Sequence, residues 1–181
     1  MIDFQNYRAK ELLKDGREMI IRPIRPDDKQ ALIEGSLRLS QRSIYLRFMG
    51  TKGELTEEEL SYYTEVDLTS HVALVAFMNE HGESKLIGGC RYIAYDSSDP
   101  FLRAEVAFLV VDDYQGQGIA TKLFKHLIAI ARDNGISEFE ADVLPENKGM
   151  LKVFERSGLP MRRSFESGVV HIGLFLTNKG M

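Results

Sequence analysis

The stretch VVDDYQGQGIATKLF, residues 110–124, decides how the rest of the chain is read. It joins an apolar run, Arg103 to Val111, to a segment in which Ile119, Leu123, Phe124, Leu127, Ile128 and Ala131 recur at helical spacing. That spacing predicts a helix from Gln117 to Asn134, with Gly135 as the residue just past its end. Gly116 and Gly118 then sit between a strand and a helix start. The first turn of a helix presents unpaired N–H groups and the positive end of a dipole, and glycine lets an anion come close to that backbone. The stretch has the geometry to cradle a phosphate. A flexible turn with helix-start glycines is the plainer alternative, because GxG alone is a weak signal. Two better-defined phosphate loops do not fit. A Walker A loop needs GxxxxGK[ST], which is absent. A dinucleotide fingerprint needs a third Gly or Ala where Thr121 stands, and a preceding strand that opens a βαβ unit.

Upstream, HVALVAFM (71–78), KLIGGCRYIAY (85–95) and RAEVAFLVV (103–111) read as three strands joined by NEHGES and DSSDP turns, an antiparallel meander. Gly88-Gly89 mark a bulge or the close approach of another backbone. Downstream, EFEADVL (138–144) is a strand reached through the helix, so it runs parallel to the third meander strand. Asn147 opens another helix that Gly158 ends, and strands at 162–166 and 169–176 flank a Ser167-Gly168 turn. Near the N-terminus, Asp15-Gly16 is a hairpin-type turn before a strand from Met19 to Arg25. Pro23 and Pro26 put that strand near an edge or end it. Asp27 with Gln30, and Thr56 with Glu59, form capping boxes that open helices, and SQRSIYLRF (40–48) is a further short helix. Residues after Leu176 read as a frayed tail. The whole chain, 1–181, reads as one α+β domain: a mixed, mostly antiparallel sheet with one parallel pair, flanked by helices.

Composition narrows the function classes. A net charge of −4 without a long basic run argues against nucleic acid or an anionic membrane as partner. No segment has the apolar length of a membrane span, and the N-terminal residues are too polar for a signal-peptide core. Cys90 is the single cysteine, and His71, His81, His126 and His171 are scattered without ligand spacing, so no metal site is expected. A cytoplasmic setting is the expectation.

With these elements in place, VDDYQGQGIATKLF resembles the pyrophosphate loop of the GNAT family of N-acetyltransferases, whose pattern Q/R-x-x-G-x-A/G is filled here by Gln115, Gly118 and Ala120. NKGMLKVFERSGL (147–159) resembles a later motif of that family. LKDGREMIIRPIRPDD, LSQRSIYLRFMG and LTEEELSYYTEVD resemble, more narrowly, the catalytic domain of bacterial protein lysine acetyltransferases. The resemblance implies the GNAT fold, acetyl-CoA as co-substrate, and a stand-alone catalytic domain that transfers acetyl to an amine in a ternary complex. The acceptor it implies is a protein lysine. A small amine (polyamine, amino sugar or amino acid) and a non-catalytic acetyl-CoA sensor remain as alternatives.

An acceptor amine with a pKa near ~10.4 is neutral in about one molecule per thousand at pH 7, a handicap on the order of 4 kcal/mol that a positioned base offsets. Glu105, in an otherwise apolar strand, is the candidate base; pairing with Arg103 or Arg91 on an outward face is the competing reading. The family places its base glutamate at the matching spot. It also implies that Leu109, Val110 and Val111 border the pantetheine, and that Gln115, Gly116, Gln117, Gly118, Ile119, Ala120 and Thr121 hold the diphosphate, mostly through backbone amides. Asn147 is a helix N-cap that in the family also touches the pantetheine arm. Seven residues on, many relatives have a tyrosine as general acid; here Phe154 stands, which donates no proton and is expected to pack against the cofactor arm. By the same analogy Arg42, Tyr45, Arg47 and Phe48 belong to the acceptor wall, while His71 reads as a surface histidine and Cys90 as core.

Overall fold

Alternation along the meander strands settles which way each faces. In β5 (Arg103–Val110), Ala104, Val106 and Phe108 are buried against the long helix α4 (Ile119–Asp133), while Glu105, Ala107 and Leu109 point to the other face. β3 (His71–Glu80) and β4 (Glu83–Ala94) sort in the same way, with Leu74, Cys90 and Tyr92 on the α4 side and Ala73, Val75 and Arg91 opposite. A computed structural model describes residues 1–96, 98 and 102–176. Its strands form one open sheet in the order β1-β2-β3-β4-β5-β6-β8-β7, with β6 (Glu138–Val143) parallel to β5 and every other neighbouring pair antiparallel. The predicted turn over 96–100 lies partly, and the tail after Leu176 wholly, outside the described residues.

The α4 side carries the larger core. Leu123, Phe124, Leu127, Ile130 and Ala131 of α4 are each at most 2% exposed, and burying each large aliphatic or aromatic side chain contributes roughly 1.5–3 kcal/mol. The opposite face is covered by α1 (Lys29–Leu37), α2 (Gln41–Phe48) and α3 (Glu57–Thr64). α5 (Lys148–Glu155) closes the α4 side near the C-terminal hairpin of β7 (Met161–Glu166) and β8 (Val169–Phe175).

Local signals were mostly sound. Thr56 and Glu59 form the capping box of α3, and the Asn147 side chain accepts from Met150 N–H at the start of α5. The bulge at Gly88 is present: Ile87 is the extra residue between Ala76↔Gly88 and Phe77↔Leu86. Two expectations need correction. The KELLK segment contains a strand of its own, β1 (Ala9–Leu12), which pairs across the Asp15-Gly16 turn with β2 (Glu18–Pro23). β2 is therefore second from the edge, and it ends at Pro23 as the prolines suggested. Pro23 is tolerated because β1 stops opposite Ile21, so no strand faces its missing N–H. Lastly, Asp28 rather than Asp27 holds the turn into α1. Its carboxylate accepts from Arg25 N–H at 2.7 Å and from both Arg22 guanidinium nitrogens at 2.8 Å.

Candidate active site

The parallel pairing of β5 with β6 is short. It runs Arg103↔Glu138, Ala104↔Phe139 and Glu105↔Glu140 and then stops, although β5 continues to Val110 and β6 to Val143. β6 stays paired with β8 as far as Val143↔Val170, and β5 stays paired with β4 as far as Val110↔Gly88. The two strands thus part into a wedge whose apex is Glu105. Backbone groups alternate sides along a strand. Arg103 C=O accepts from Tyr95 N–H, and Val111 N–H donates to Ile87 C=O, both toward β4. The peptide groups of Val106, Phe108 and Val110 therefore turn toward the wedge. Of the three residues expected to border a pantetheine, only Val110 turns its peptide groups toward the wedge. Leu109 and Val111 both line a cavity on the other face, and Val111 also belongs to the core on the α4 side. Val106 and Phe108 were not foreseen; their apolar side chains give no sign that the Val106 C=O and the Phe108 peptide groups lie beyond the last β5–β6 pair.

At the mouth of the wedge stands the glycine loop. Gly116 and Gly118 have φ of +77° and +84°, a region that L-residues enter at a cost of roughly 1–2 kcal/mol. Gly118 is the N-cap of α4, so the helix starts two residues later than the spacing predicted. Among the described residues, no hydrogen bond is donated by N–H of Gly116, Gln117 or Gly118. The first-turn amides of α4 add further free donors. A Cβ at Gly116 would meet nothing within 4 Å, and one at Gly118 only the Lys14 stem at 3.8 Å. The space over the loop is open, and Lys14 stands at its rim. Lys14 was not foreseen, because only the β1–β2 hairpin brings it there, where its N–H donates to Gln117 C=O at 3.1 Å.

The loop is braced from both sides. Gln115 Nε2 donates to Ser43 Oγ on α2 and to Val110 C=O, both at 3.1 Å. Gln117 Oε1 accepts from Asp15 N–H at 3.2 Å. These two glutamines use their side chains to position the loop. Ile119 is core, 2% exposed, and offers only its backbone; Ala120 is half-buried and Thr121 exposed. Phe154 also departs from expectation. It is 1% exposed and stacks edge-on against Phe108 at 6.0 Å and Phe124 at 5.6 Å, so in this structure it is part of the aromatic core beneath β5.

Glu105 is exposed and makes no ion pair or hydrogen bond among the described residues. Its two expected partners are engaged elsewhere: Arg103 binds Glu140 at 3.1 Å, and Arg91 donates to His71 Nε2 at 3.0 Å. Glu105 shares its face with Ala107 and Leu109, which border a cavity of about 620 Å³ between the sheet and α1–α3. Arg47 and Phe48 reach that cavity, whereas Tyr45 is exposed outside it and Arg42 stands at the surface. Cys90 is buried, and burial pushes its thiol up, which leaves it inert. No group of three or more potential metal ligands occurs among the described residues.

His71 is half-buried rather than superficial, packed on Tyr62 at 5.3 Å. Burial, and then the charge of Arg91, lower its pKa to about 4, against the opposing pull of Asp67. Its bond from Arg91 requires an unprotonated Nε2, since arginine only donates. As pH falls below the ordinary 6.5, the unfolded chain takes up a proton that native His71 refuses until about pH 4, so stability declines through that window. The expected loss between pH 7 and 5 is on the order of 1–2 kcal/mol. Urea unfolding at several pH values checks it, and His71→Gln, which keeps an acceptor, is expected to flatten the slope.

The chain matches the family model described as acetyltransferase (GNAT) domain over residues 18–160. It belongs to the GNAT acetyltransferase family. It is 34% identical over 146 residues to acetyltransferase Pat of Mycolicibacterium smegmatis, which covers 81% of this chain and 42% of that protein. The GNAT domain of S. lividans PAT superposes with a TM-score of 0.83 at 36% identity, covering 93% of this chain and 96% of that one. An acetyltransferase from Salmonella typhimurium, solved with acetyl-CoA, shares the fold at a TM-score of 0.66 and 20% identity, covering 90% and 96%. The GNAT fold and the enzyme class expected from the sequence are thereby established. No helix among the described residues is long and apolar enough to cross a membrane.

Proposed function

We propose that this acetyltransferase moves the acetyl group of acetyl-CoA directly to a primary amine, the side chain of a protein lysine, with Glu105 as the base. The observation that carries the reading is the wedge between β5 and β6, with Glu105 at its apex and the glycine loop at its mouth. The free amides of Gly116 to Thr121, with Lys14, suit the diphosphate of the co-substrate. The inward-turned peptides of Val106, Phe108 and Val110 suit an extended amide-bearing arm, which adds to β5 as a strand would. An arm laid along them brings its thioester toward Glu105. A carboxylate without a cation partner is free to take the ammonium proton, and the neutral amine then attacks the thioester carbonyl. A backbone N–H on the wedge side of β5 is the donor available to the oxyanion. Coenzyme A leaves as a thiolate, which at a thiol pKa near ~8.5 needs little help, so the buried Phe154 is no obstacle. The lysine reading draws on the N-terminal resemblance and on the exposed acidic side chains of Glu105 and Asp142, which suit a cationic acceptor.

A thiol-release assay with lysine peptides and with small amines tests the proposal. Acceptor-dependent release supports transfer. Tight acetyl-CoA binding with no release for any amine would favour a sensor.

A further inference from the structure

The cavity between the sheet and α1–α3 is apolar over most of its wall, with Ile24, Leu32, Ile44, Phe48, Leu55 and Leu86 around it. Charged side chains interrupt that wall: Arg47 from α2, Arg91 from β4, and Lys52 and Glu54 from the segment after α2, with Lys52 engaged by Glu59. Among the described residues neither arginine forms an ion pair with any carboxylate. Their contacts are instead aromatic or neutral: Arg91 lies over the Tyr63 ring at 4.5 Å and donates to His71, and Arg47 lies over its neighbour Phe48 at 4.8 Å. Burial, and then the charge of Arg47, depress Arg91 to about 10. Burial lowers Arg47 too, with Tyr63 and Glu105 opposing it. Two half-buried arginines without a carboxylate in contact are an unusual thing to keep in a cavity. The sheet beneath them is cut low: Arg91 stands in register between Ala73 and Ala107, and Gly89 lies one step along. Small residues on the floor and guanidinium groups at the wall leave room for a planar anion. Guanidinium forks match a carboxylate better than any other small group except phosphate.

From this geometry we infer that the cavity binds a carboxylate carried by the acceptor, held by Arg47 and Arg91 while the acceptor's amine lies toward Glu105. The inference rests on the acetyl-transfer reading for its orientation and narrows the acceptor to an amine that bears an anionic group. Two sources fit that chemistry: an acidic residue next to the modified lysine, or the carboxylate of a small amino acid.

The test compares matched acceptors in steady-state thiol release. One arm uses 6-aminohexanoate against hexylamine. The other uses blocked lysine peptides flanked by Glu against the same peptides flanked by Gln. The carboxylate member of at least one pair is expected to show a KM about tenfold lower or better, at similar kcat. Which pair shows it identifies the source. Arg47→Gln and Arg91→Gln are expected to raise the KM of the acidic acceptor about tenfold, to that of its neutral partner, so that the difference within the pair disappears. If Arg91→Gln fails to fold, as judged by circular dichroism, Arg47→Gln decides alone. Calorimetric titration of the enzyme with glutarate is a readout that needs no turnover; binding that Arg47→Gln abolishes is expected. Equal KM within both pairs, or variants that weaken every acceptor alike, would overturn the carboxylate subsite while leaving acetyl transfer intact. Failure of the acetyl-transfer reading looks different: no amine releases thiol, whereas glutarate still binds.

Discussion

Glu105→Gln binds acetyl-CoA with the affinity of the parent enzyme and acetylates amines about 10²–10⁴-fold more slowly at neutral pH. The glutamine is isosteric and neutral, so the strand and the wedge are kept and only the proton acceptor is lost. The position makes the prediction clean. Glu105 makes no hydrogen bond or ion pair among the described residues and acts on Arg47 only through its charge, so its replacement should change stability by no more than about 1 kcal/mol. Rate and stability therefore separate. Raising the pH supplies neutral amine from solution, so the deficit is expected to shrink as pH approaches the ordinary lysine range near ~10. Steady-state kinetics from pH 7 to 9.5, with urea unfolding as control, check both parts. Full activity of the variant at pH 7 removes Glu105 from the mechanism.

Gly118→Val is the second large effect, and it falls on binding. Valine at φ +84° is strained, and its branched side chain stands where an anion has to approach the amides of α4. Each charge-assisted hydrogen bond lost costs about 1.5–3 kcal/mol, so the Kd for acetyl-CoA is expected to rise by about 10²-fold. Strain alone also lowers stability, which calls for a matched control. Gly168, in the β7–β8 turn, has φ of +80°, a Cβ there would meet nothing within 4 Å, and β6 separates its hairpin from β5. Gly168→Val therefore carries similar strain and is expected to leave the Kd unchanged. Calorimetry on both variants distinguishes a phosphate cradle from a glycine turn that merely permits folding.

Much of this site was legible in the chain because its signals are local. The GxG before an amphipathic run fixed the loop, and a crossover helix fixed the one parallel pair. Asn147 and the Thr56–Glu59 box carry their partners three residues away, which is why they could be read correctly. What escaped depends on pairing between distant segments. β1 is only four residues long and half-exposed, so no period marks it as a strand, yet it delivers Lys14 to the loop. The wedge arises because β6 keeps its bonds to β8 and gives up those to β5, a choice that Val106 and Phe108 do not advertise. Phe154 is the opposite case. Its motif position suggested a ligand contact, but packing against Phe108 and Phe124 claims the ring for the core. Arg47 and Arg91 were each visible, but 44 positions apart; only α2 folding over β4 brings both to one cavity.

The most direct test is a crystal structure of the enzyme with acetyl-CoA. Diphosphate oxygens are expected on the amides of Gly116 to Thr121, the pantetheine arm along Val106, Phe108 and Val110, and the acetyl carbon beside Glu105. A diphosphate bound away from the glycine loop, or an arm that leaves the β5–β6 wedge empty, would contradict this placement.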